Sequence, residues 1–174
     1  MQVRFLVPTS QAARSGNTVT SDRWRSFIEG MGHQVFIDHA TCRAPCDLLI
    51  AFNAYKSRTA VIDARQRGMA RSIAICLTGT DLYRDFPKEP VTLDVLSLAD
   101  QLVVLQPRAL SVLPTEVHDK TMVIYQSAVR SGIEPKRSPE SFNVCVIAHL
   151  REEKDPLRAA KAARMLPPSS RINV

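Results

Sequence analysis

The chain has 174 residues, with 23 lysines and arginines against 17 aspartates and glutamates, which gives a formal net charge of +6. Its 45% hydrophobic and 23% charged residues are typical of a globular protein and exclude a disordered or collagen-like chain. The basic residues are spread along the whole sequence, so charge alone does not indicate a nucleic-acid-binding surface. The length allows one domain and part of another.

The sequence carries no targeting or redox signal. No apolar segment is as long as the roughly 20 residues that span a bilayer, and the N-terminal apolar run contains Arg4 and ends at Pro8. A chain of this length can build an ordinary core, so we expect its cysteines to be thiols rather than disulfides. The sequence therefore predicts a cytoplasmic protein without a membrane partner.

The first predicted elements are a strand and a helix. Residues 3–7 are largely apolar and too few for a helix, which indicates a buried strand. Four large side chains then follow at helical spacing: Trp24, Phe27, Ile28 and Met31. They predict an amphipathic helix whose apolar side joins the core, and Gly32 is placed to end it in a left-handed conformation.

The same alternation continues along the chain. Further strands are predicted at residues 33–38, 46–52, 72–77, 101–105 and 121–125. Ser57 is placed to begin a helix that ends at Gly68. Residues 91–99 have helical spacing, and Pro107 opens a short helix. Strands joined by single helices run parallel, so residues 1–126 are predicted to form a doubly wound, Rossmann-like α/β domain.

A change in composition follows this domain. Residues 127–141 have no periodicity and contain two prolines and one glycine, as is typical of a linker. Residues 142–148 then predict another buried strand, and a helix is predicted to begin at Asp155 and Pro156. We therefore expect residues 142–174 to be the beginning of a second domain of the same kind, incomplete in this chain.

Two loops predicted at the carboxyl ends of the strands, where open parallel sheets bind ligands, carry glycine beside polar side chains. Gly16 and Asn17 follow the first strand and either bind an anion at the helix N-terminus or form an ordinary capped turn. Thr78, Gly79 and Thr80 follow the most apolar strand and offer hydroxyl donors. The alternative is a turn in which Thr80 and Asp81 form hydrogen bonds with their own backbone.

Charged side chains stand beside these loops. Asp81 is placed to orient or deprotonate a substrate. Lys56 follows another predicted strand and either meets a phosphate or is a solvated charge. Arg151 and Lys154 flank the helix of the second domain, where they either converge on a diphosphate or pair within a solvated loop.

The cysteines indicate little chemistry. Cys42 and Cys46 lack a second pair of ligands at zinc spacing, so we expect no metal site. Cys76 and Cys145 lie within apolar runs and are expected to be small core residues.

The segment Ala-His-Leu-Arg-Glu-Glu-Lys-Asp at residues 148–155 resembles the Gly-Arg-Leu-x-x-x-Lys-Gly segment of retaining glycosyltransferases with two Rossmann-type domains, the GT-B type. The resemblance places Lys154 on the lysine that binds the donor diphosphate in that family. His149 stands where the family has arginine, so either His149 or Arg151 is expected to supply the second cation.

A second resemblance uses segments from the whole length of the chain. Its most specific string is Thr-Gly-Thr-Asp-Leu-Tyr-Arg-Asp at residues 78–85. The other segments lie at residues 16–20, 46–51, 103–106, 125–128 and 149–156. Together they resemble the selenosugar synthases of bacterial selenoneine biosynthesis, a GT-B family. Its members are longer and carry the rest of the donor domain.

The resemblance implies that a UDP-sugar, either UDP-N-acetylglucosamine or UDP-glucose, reacts with selenophosphate to form a carbon–selenium bond at the anomeric carbon. UDP and phosphate are lost. No metal or other cofactor is expected if cations and helix dipoles carry the charge. The catalytic residues that it implies are Asp81 and Lys154. The substrate-binding residues that it implies are Gly16, Asn17, Lys56, Thr78, Gly79, Thr80, Arg84, His149 and Arg151.

Other functions fit the same residues. A glycosyltransferase with a different acceptor, such as a glycan or a thiol compound, would share the donor loop. A non-catalytic anion-binding domain with a flavodoxin-like sheet would need only the loops of the first domain. Weak nucleic-acid binding would depend on the net charge alone.

Overall fold

The computed structural model describes residues 1–8, 15–86, 93–134, 138–148, 150 and 154–174. The chain forms two compact units, Met1–Ser127 and Ala128–Val174. The first unit is an α/β fold with a six-stranded parallel sheet and helices on both faces, which confirms the predicted doubly wound, Rossmann-like architecture. Among the described residues, no helix is both long and apolar enough to cross a membrane.

Six short strands make up the sheet of the first unit. They are β1 (Gln2–Leu6), β2 (Gln34–Asp38), β3 (Cys46–Phe52), β4 (Ala70–Cys76), β5 (Gln101–Val104) and β6 (Thr121–Val123). Neighbouring strands are parallel, in the order β2-β1-β3-β4-β5-β6. Because all six strands are parallel, their carboxyl ends lie at one edge of the sheet. The direction in which strands are added reverses between β1 and β3, and ligands of this fold bind at that edge beside such a reversal.

Helices and helical turns connect these strands. The helices are α1 (Gly16–Gly30), α2 (Ala54–Gln66) and α3 (Asp94–Ser97), with a π-helical turn at Asp81–Asp85 and 3-10 turns at Pro107–Val112 and Thr115–Lys120. Pro107 opens its turn as predicted. Of the helix predicted at 91–99, residues 91 and 92 lie outside the described residues.

The sheet has a packed core on each face. On one face α1 covers β1 and β3, where the ring of Phe52 lies 5.5 Å from the rings of both Phe5 and Trp24. Burying an aromatic side chain of this size contributes roughly 1.5–3 kcal/mol. On the other face α2 and α3 pack over side chains such as Leu49 and Ile73, which are fully buried. Two apolar faces therefore hold the strand ends in fixed positions.

The predicted apolar side of α1 is partly wrong. Trp24 and Ile28 pack against the sheet, but Phe27 is 53% exposed and Met31 is 65% exposed. The buried residues of the helix are Thr20 and Ser21, and Trp24 and Ile28 are partly buried on the same side. Phe27 lies at the margin of that side, and Met31 follows the last helical residue. Gly32 has a φ of +83°, which confirms the predicted left-handed end.

The predicted start of α2 is wrong as well. The helix begins at Ala54, and Asn53 caps it by accepting a hydrogen bond of 2.9 Å from the N–H of Lys56. Ser57, the predicted cap, lies within the first turns and donates to the carbonyl of Phe52 over 2.8 Å. Asn53 directly follows the strand and caps the helix before the chain reaches Ser57. The Ser57 hydroxyl is therefore free to donate to the carbonyl at the end of the strand.

The second unit contains β7 (Phe142–Asn143), α4 (Arg158–Ala163) and β8 (Ile172–Asn173), with the two strands parallel. The buried strand predicted over 142–148 is wrong, since the strand has two residues and its apolar side chains are exposed, as is Cys145. An apolar strand is buried only where other elements cover it. Among the described residues, this unit has two short strands and one short helix, which do not cover residues 142–148.

Candidate functional site

A cleft of about 440 Å³ lies beyond the carboxyl ends of β4, β5 and β6. Its wall is formed by Gly16, Asn17, Val19, Thr20, Cys76, Thr78, Gly79, Leu105 and Gln126. The cleft therefore brings together the two glycine loops singled out in the sequence, although they are far apart in the chain. Its volume suits a small-molecule ligand. No described residue of the wall has a charged side chain.

The N-terminus of α1 forms one side of the cleft. Ser15 caps the helix by accepting a 3.2 Å hydrogen bond from the N–H of Thr18, whose hydroxyl accepts one of 2.8 Å from the N–H of Ser15. The next two N–H groups, those of Gly16 and Asn17, have no acceptor among the described residues. This end of α1 is therefore a capped turn that still offers two donors and the positive end of the helix dipole.

Thr20 and Gln126 join this side to the end of the sheet. The hydroxyl of Thr20 lies 2.9 Å from the carbonyl oxygen of Gly16 and 3.3 Å from Oε1 of Gln126. Neither residue, nor Leu105, belonged to the predicted site. Leu105 and Gln126 both follow strands at the carboxyl edge of the sheet, and that position was the signal that could have identified them.

Asp81 supports the loop after β4, which forms the other side of the cleft. Its side chain is fully buried. Oδ1 accepts hydrogen bonds from the N–H and the hydroxyl of Thr78, over 2.6 and 2.8 Å, and Oδ2 accepts one of 2.8 Å from the N–H of Ala54. Burial raises the pKa of this carboxyl to about 6, although the hydrogen bonds oppose that rise. The carboxylate thus holds the loop after β4, and its catalytic role stays a prediction.

Asn53 is a site residue that the sequence interpretation did not select. It is buried, and its backbone has a φ of +65°, a conformation that asparagine tolerates better than most residues. Its side-chain NH2 donates to the hydroxyls of Thr78 and Thr80 over 3.1 and 2.9 Å. An asparagine between a strand end and a helix start was the available signal.

None of the described side chains predicted to supply a positive charge is part of the wall of the cleft. Lys56 is exposed on the first turn of α2 and does not line the cleft. Arg84 is half-buried, and its Nε donates to Asp85 over 2.8 Å. Lys154 is exposed and belongs to the second unit. His149 and Arg151 lie outside the described residues.

The cysteines offer no reactive thiolate at this site. Cys76 is buried as predicted, and burial raises its pKa to about 12, so the thiol that lines the cleft stays protonated near neutral pH. Cys42 and Cys46 are buried free thiols. In the described part of the chain, no group of three or more histidine, cysteine or acidic side chains could hold a metal ion.

A second cavity, of about 510 Å³, lies at the opposite end of the sheet. It is lined by Gln2, Pro45, Cys46, Asp47, Gly68, Met69, Ala70 and Arg71. These residues surround the amino ends of the strands, whereas ligands of open parallel sheets bind at the carboxyl ends. The cleft beside α1 is therefore the better candidate site.

No protein-family model matches the sequence, and no curated protein is significantly similar to it.

Proposed function

We propose that the protein is a glycosyltransferase of the selenosugar synthase kind, in which the cleft beside α1 binds the acceptor, selenophosphate. The observation that supports this most is the meeting of two glycine loops at one cleft: Gly16 and Asn17 on one side, and Thr78 and Gly79 on the other. These positions belong to the segments that resemble the selenosugar synthases.

The reaction makes few demands on proton transfer. Selenophosphate is an anion, so its selenium attacks the anomeric carbon without first losing a proton to a base. The carbon–selenium bond forms as the bond from the anomeric carbon to the UDP oxygen breaks, and water then cleaves the selenium–phosphorus bond to release phosphate. Positioning of the anion and stabilisation of the leaving diphosphate are therefore the main tasks.

The proposed roles divide between the two units. Helix N–H groups at Gly16 and Asn17 and the hydroxyl of Thr80 would hold the oxyanion. Lys154, with His149 or Arg151, would bind the diphosphate of the UDP-sugar. Asp81 would maintain the loop that carries Thr78 and Gly79, since its oxygens already accept three hydrogen bonds.

The test is a turnover assay with the natural full-length chain. UDP release would be measured with UDP-N-acetylglucosamine or UDP-glucose as donor and with selenophosphate, thiophosphate, simple sugars or a thiol as acceptor. We expect UDP release that depends on selenophosphate, together with a selenosugar product detected by mass spectrometry. Turnover with none of the phosphate acceptors would overturn the proposal.

A second candidate is a glycosyltransferase with a neutral acceptor. The described wall of the cleft has no charged side chain, which suits a sugar hydroxyl as well as an anion. The same assay separates the two, because a neutral-acceptor enzyme releases UDP with a sugar or thiol compound and not with selenophosphate.

A further inference from the structure

The segment that follows β6 is tied to α1 by two side chains of that helix. Oγ1 of Thr20 lies 3.3 Å from Oε1 of Gln126. One turn further along the helix, Nε of Arg23 donates to the hydroxyl of Ser127. On the other side of Gln126, the N–H of Ile124 donates to a carbonyl of β5 over 2.9 Å. Hydrogen bonds before and after Gln126 therefore hold this residue at the wall of the cleft.

Among the described residues, the wall of the cleft carries four amide or hydroxyl side chains: Asn17, Thr20, Thr78 and Gln126. The hydroxyl of Thr78 donates its one proton to the buried carboxylate of Asp81 over 2.8 Å. The hydroxyl of Thr20 also has one proton, and it has acceptors within the protein. The side chains of this wall that can still donate to a ligand are therefore the amides of Asn17 and Gln126.

The Thr20 hydroxyl decides which end of the Gln126 amide faces a ligand. Its proton has two acceptors within reach, the carbonyl oxygen of Gly16 at 2.9 Å and Oε1 of Gln126 at 3.3 Å. The Gly16 carbonyl already accepts the helical N–H of Thr20, so it keeps a donor when the hydroxyl proton turns to Gln126. Oε1 then stays on Thr20, and the NH2 group is the end left for a ligand.

The opposite arrangement also satisfies both side chains. If the Thr20 proton stays on Gly16, the amide turns over and its NH2 group donates to the Thr20 hydroxyl. Oε1 of Gln126 is then left as an acceptor. The hydrogen-bonding character of the ligand therefore selects the orientation of Gln126.

We propose that Gln126 is a binding residue of the cleft, and that its side-chain NH2 group donates a hydrogen bond to an oxyanion of the acceptor. The identity of that oxyanion, the phosphate group of selenophosphate, rests on the proposed function. Phosphate oxygens only accept hydrogen bonds, so they select the orientation in which Oε1 stays on Thr20. Gln126, Gly16 and Asn17 line the same cleft, so one small anion can meet this amide and the free N–H groups of α1 together.

The test replaces Gln126 with methionine in the full-length chain, with thiophosphate as the stable probe and calorimetric titration as the readout. Methionine has a similar length and no hydrogen-bond donor. We expect thiophosphate affinity to fall roughly tenfold, as for the loss of one hydrogen bond to a charged group. The urea midpoint of unfolding should stay close to that of the parent, because Gln126 is exposed. Parent-like binding by Gln126→Met would overturn the proposal.

Gln126→Glu tests the direction of the hydrogen bond. Its carboxylate still accepts from Thr20 but offers the ligand only acceptor oxygens, so thiophosphate affinity should fall further than in Gln126→Met. Gln106→Glu is the matched control, since Gln106 also follows a strand at this edge of the sheet but does not line the cleft. It should bind thiophosphate nearly as well as the parent. Equal losses in the two glutamate variants would show an effect of charge alone and would contradict the role of Gln126.

The remaining outcomes also decide. If Gln126→Met does not fold, Gln126→Ala takes its place, and parent-like binding by that variant overturns the proposal. A parent chain that does not bind thiophosphate overturns it too. Failure of the proposed function has a different signature: the chain binds thiophosphate in the expected pattern of variants but releases no UDP with any phosphate acceptor. UDP release with selenophosphate, together with parent-like binding by Gln126→Met, would remove only the role of Gln126.

Discussion

Oδ2 of Asp81 accepts a hydrogen bond of 2.8 Å from the backbone N–H of Ala54, which joins the loop after β4 to the first turn of α2. The other oxygen of the carboxylate accepts from Thr78, on the wall of the cleft. One buried side chain thus connects the start of a helix with a loop that forms the candidate site.

Replacing Asp81 with asparagine should destabilise the first unit. The asparagine NH2 group would face a donor, either the N–H of Ala54 or the N–H of Thr78, so at least one buried hydrogen bond would be lost. Leaving a buried donor without a partner costs roughly 1–3 kcal/mol. The free energy of unfolding in urea measures this loss. Asp94→Asn is the matched control, since its ion pair with Arg58 is exposed and should contribute little; an equal loss in both variants would contradict the role given to Asp81.

The contribution of Asp81 to stability should also depend on pH. Burial raises its pKa from 3.8 to about 6, so between these values the folded chain binds a proton that the unfolded chain does not. This group therefore makes the fold more stable as the pH falls from 7 to 5, by roughly 1 kcal/mol. The difference in unfolding free energy between the parent and Asp81→Asn should grow over that range. A difference that shrinks would indicate that the three hydrogen bonds outweigh burial.

Cys145 should be the one cysteine that reacts quickly in the folded chain. It is exposed, whereas Cys42, Cys46 and Cys76 are buried. Burial raises the pKa of each of these three thiols, which leaves little thiolate for reaction. Titration with a disulfide reagent should show one fast thiol and three slow ones, and Cys145→Ser should remove the fast phase. A fast phase that survives this substitution would contradict the burial of the other three.

Lys154→Ala should impair donor chemistry in the full-length chain if the lysine binds the diphosphate. Loss of one charged donor to a transition state lowers kcat by roughly 100-fold. Lys161→Ala is the control, because Lys161 is also an exposed lysine of the second unit. UDP release at saturating selenophosphate measures both variants. Equal rates for the two would remove Lys154 from the proposed mechanism.

The central strands of the first unit could be predicted because they are short apolar runs covered on both faces, and the run at Cys46–Phe52 has the predicted bounds. The buried side of α1 could not be predicted in the same way. Phe27 has the right spacing for the buried side of α1, but its exposure depends on where the helix axis lies over the sheet. In the second unit, the apolar residues after Phe142 indicate a strand only if other strands cover them.

Part of the candidate site was also predictable. Parallel strands bring their carboxyl ends together, so Gly16 and Gly79 were expected at one edge, and they line one cleft. The role of Asn53 was not predictable from the sequence. It depends on which side-chain atom of Asn53 faces the N–H of Lys56. It also depends on which hydroxyl groups the tertiary structure places beside the other side-chain atom.

The most direct measurement is a titration of the isotopically labelled chain with thiophosphate, followed by backbone amide shifts in nuclear magnetic resonance spectra. We expect saturable shifts of Gly16, Asn17 and Gly79, the residues of the cleft, and none at Asp47 and Gly68 in the cavity at the other end of the sheet. Shifts that do not saturate, or that are confined to Asp47 and Gly68, would contradict the assignment of the cleft as an oxyanion-binding acceptor site.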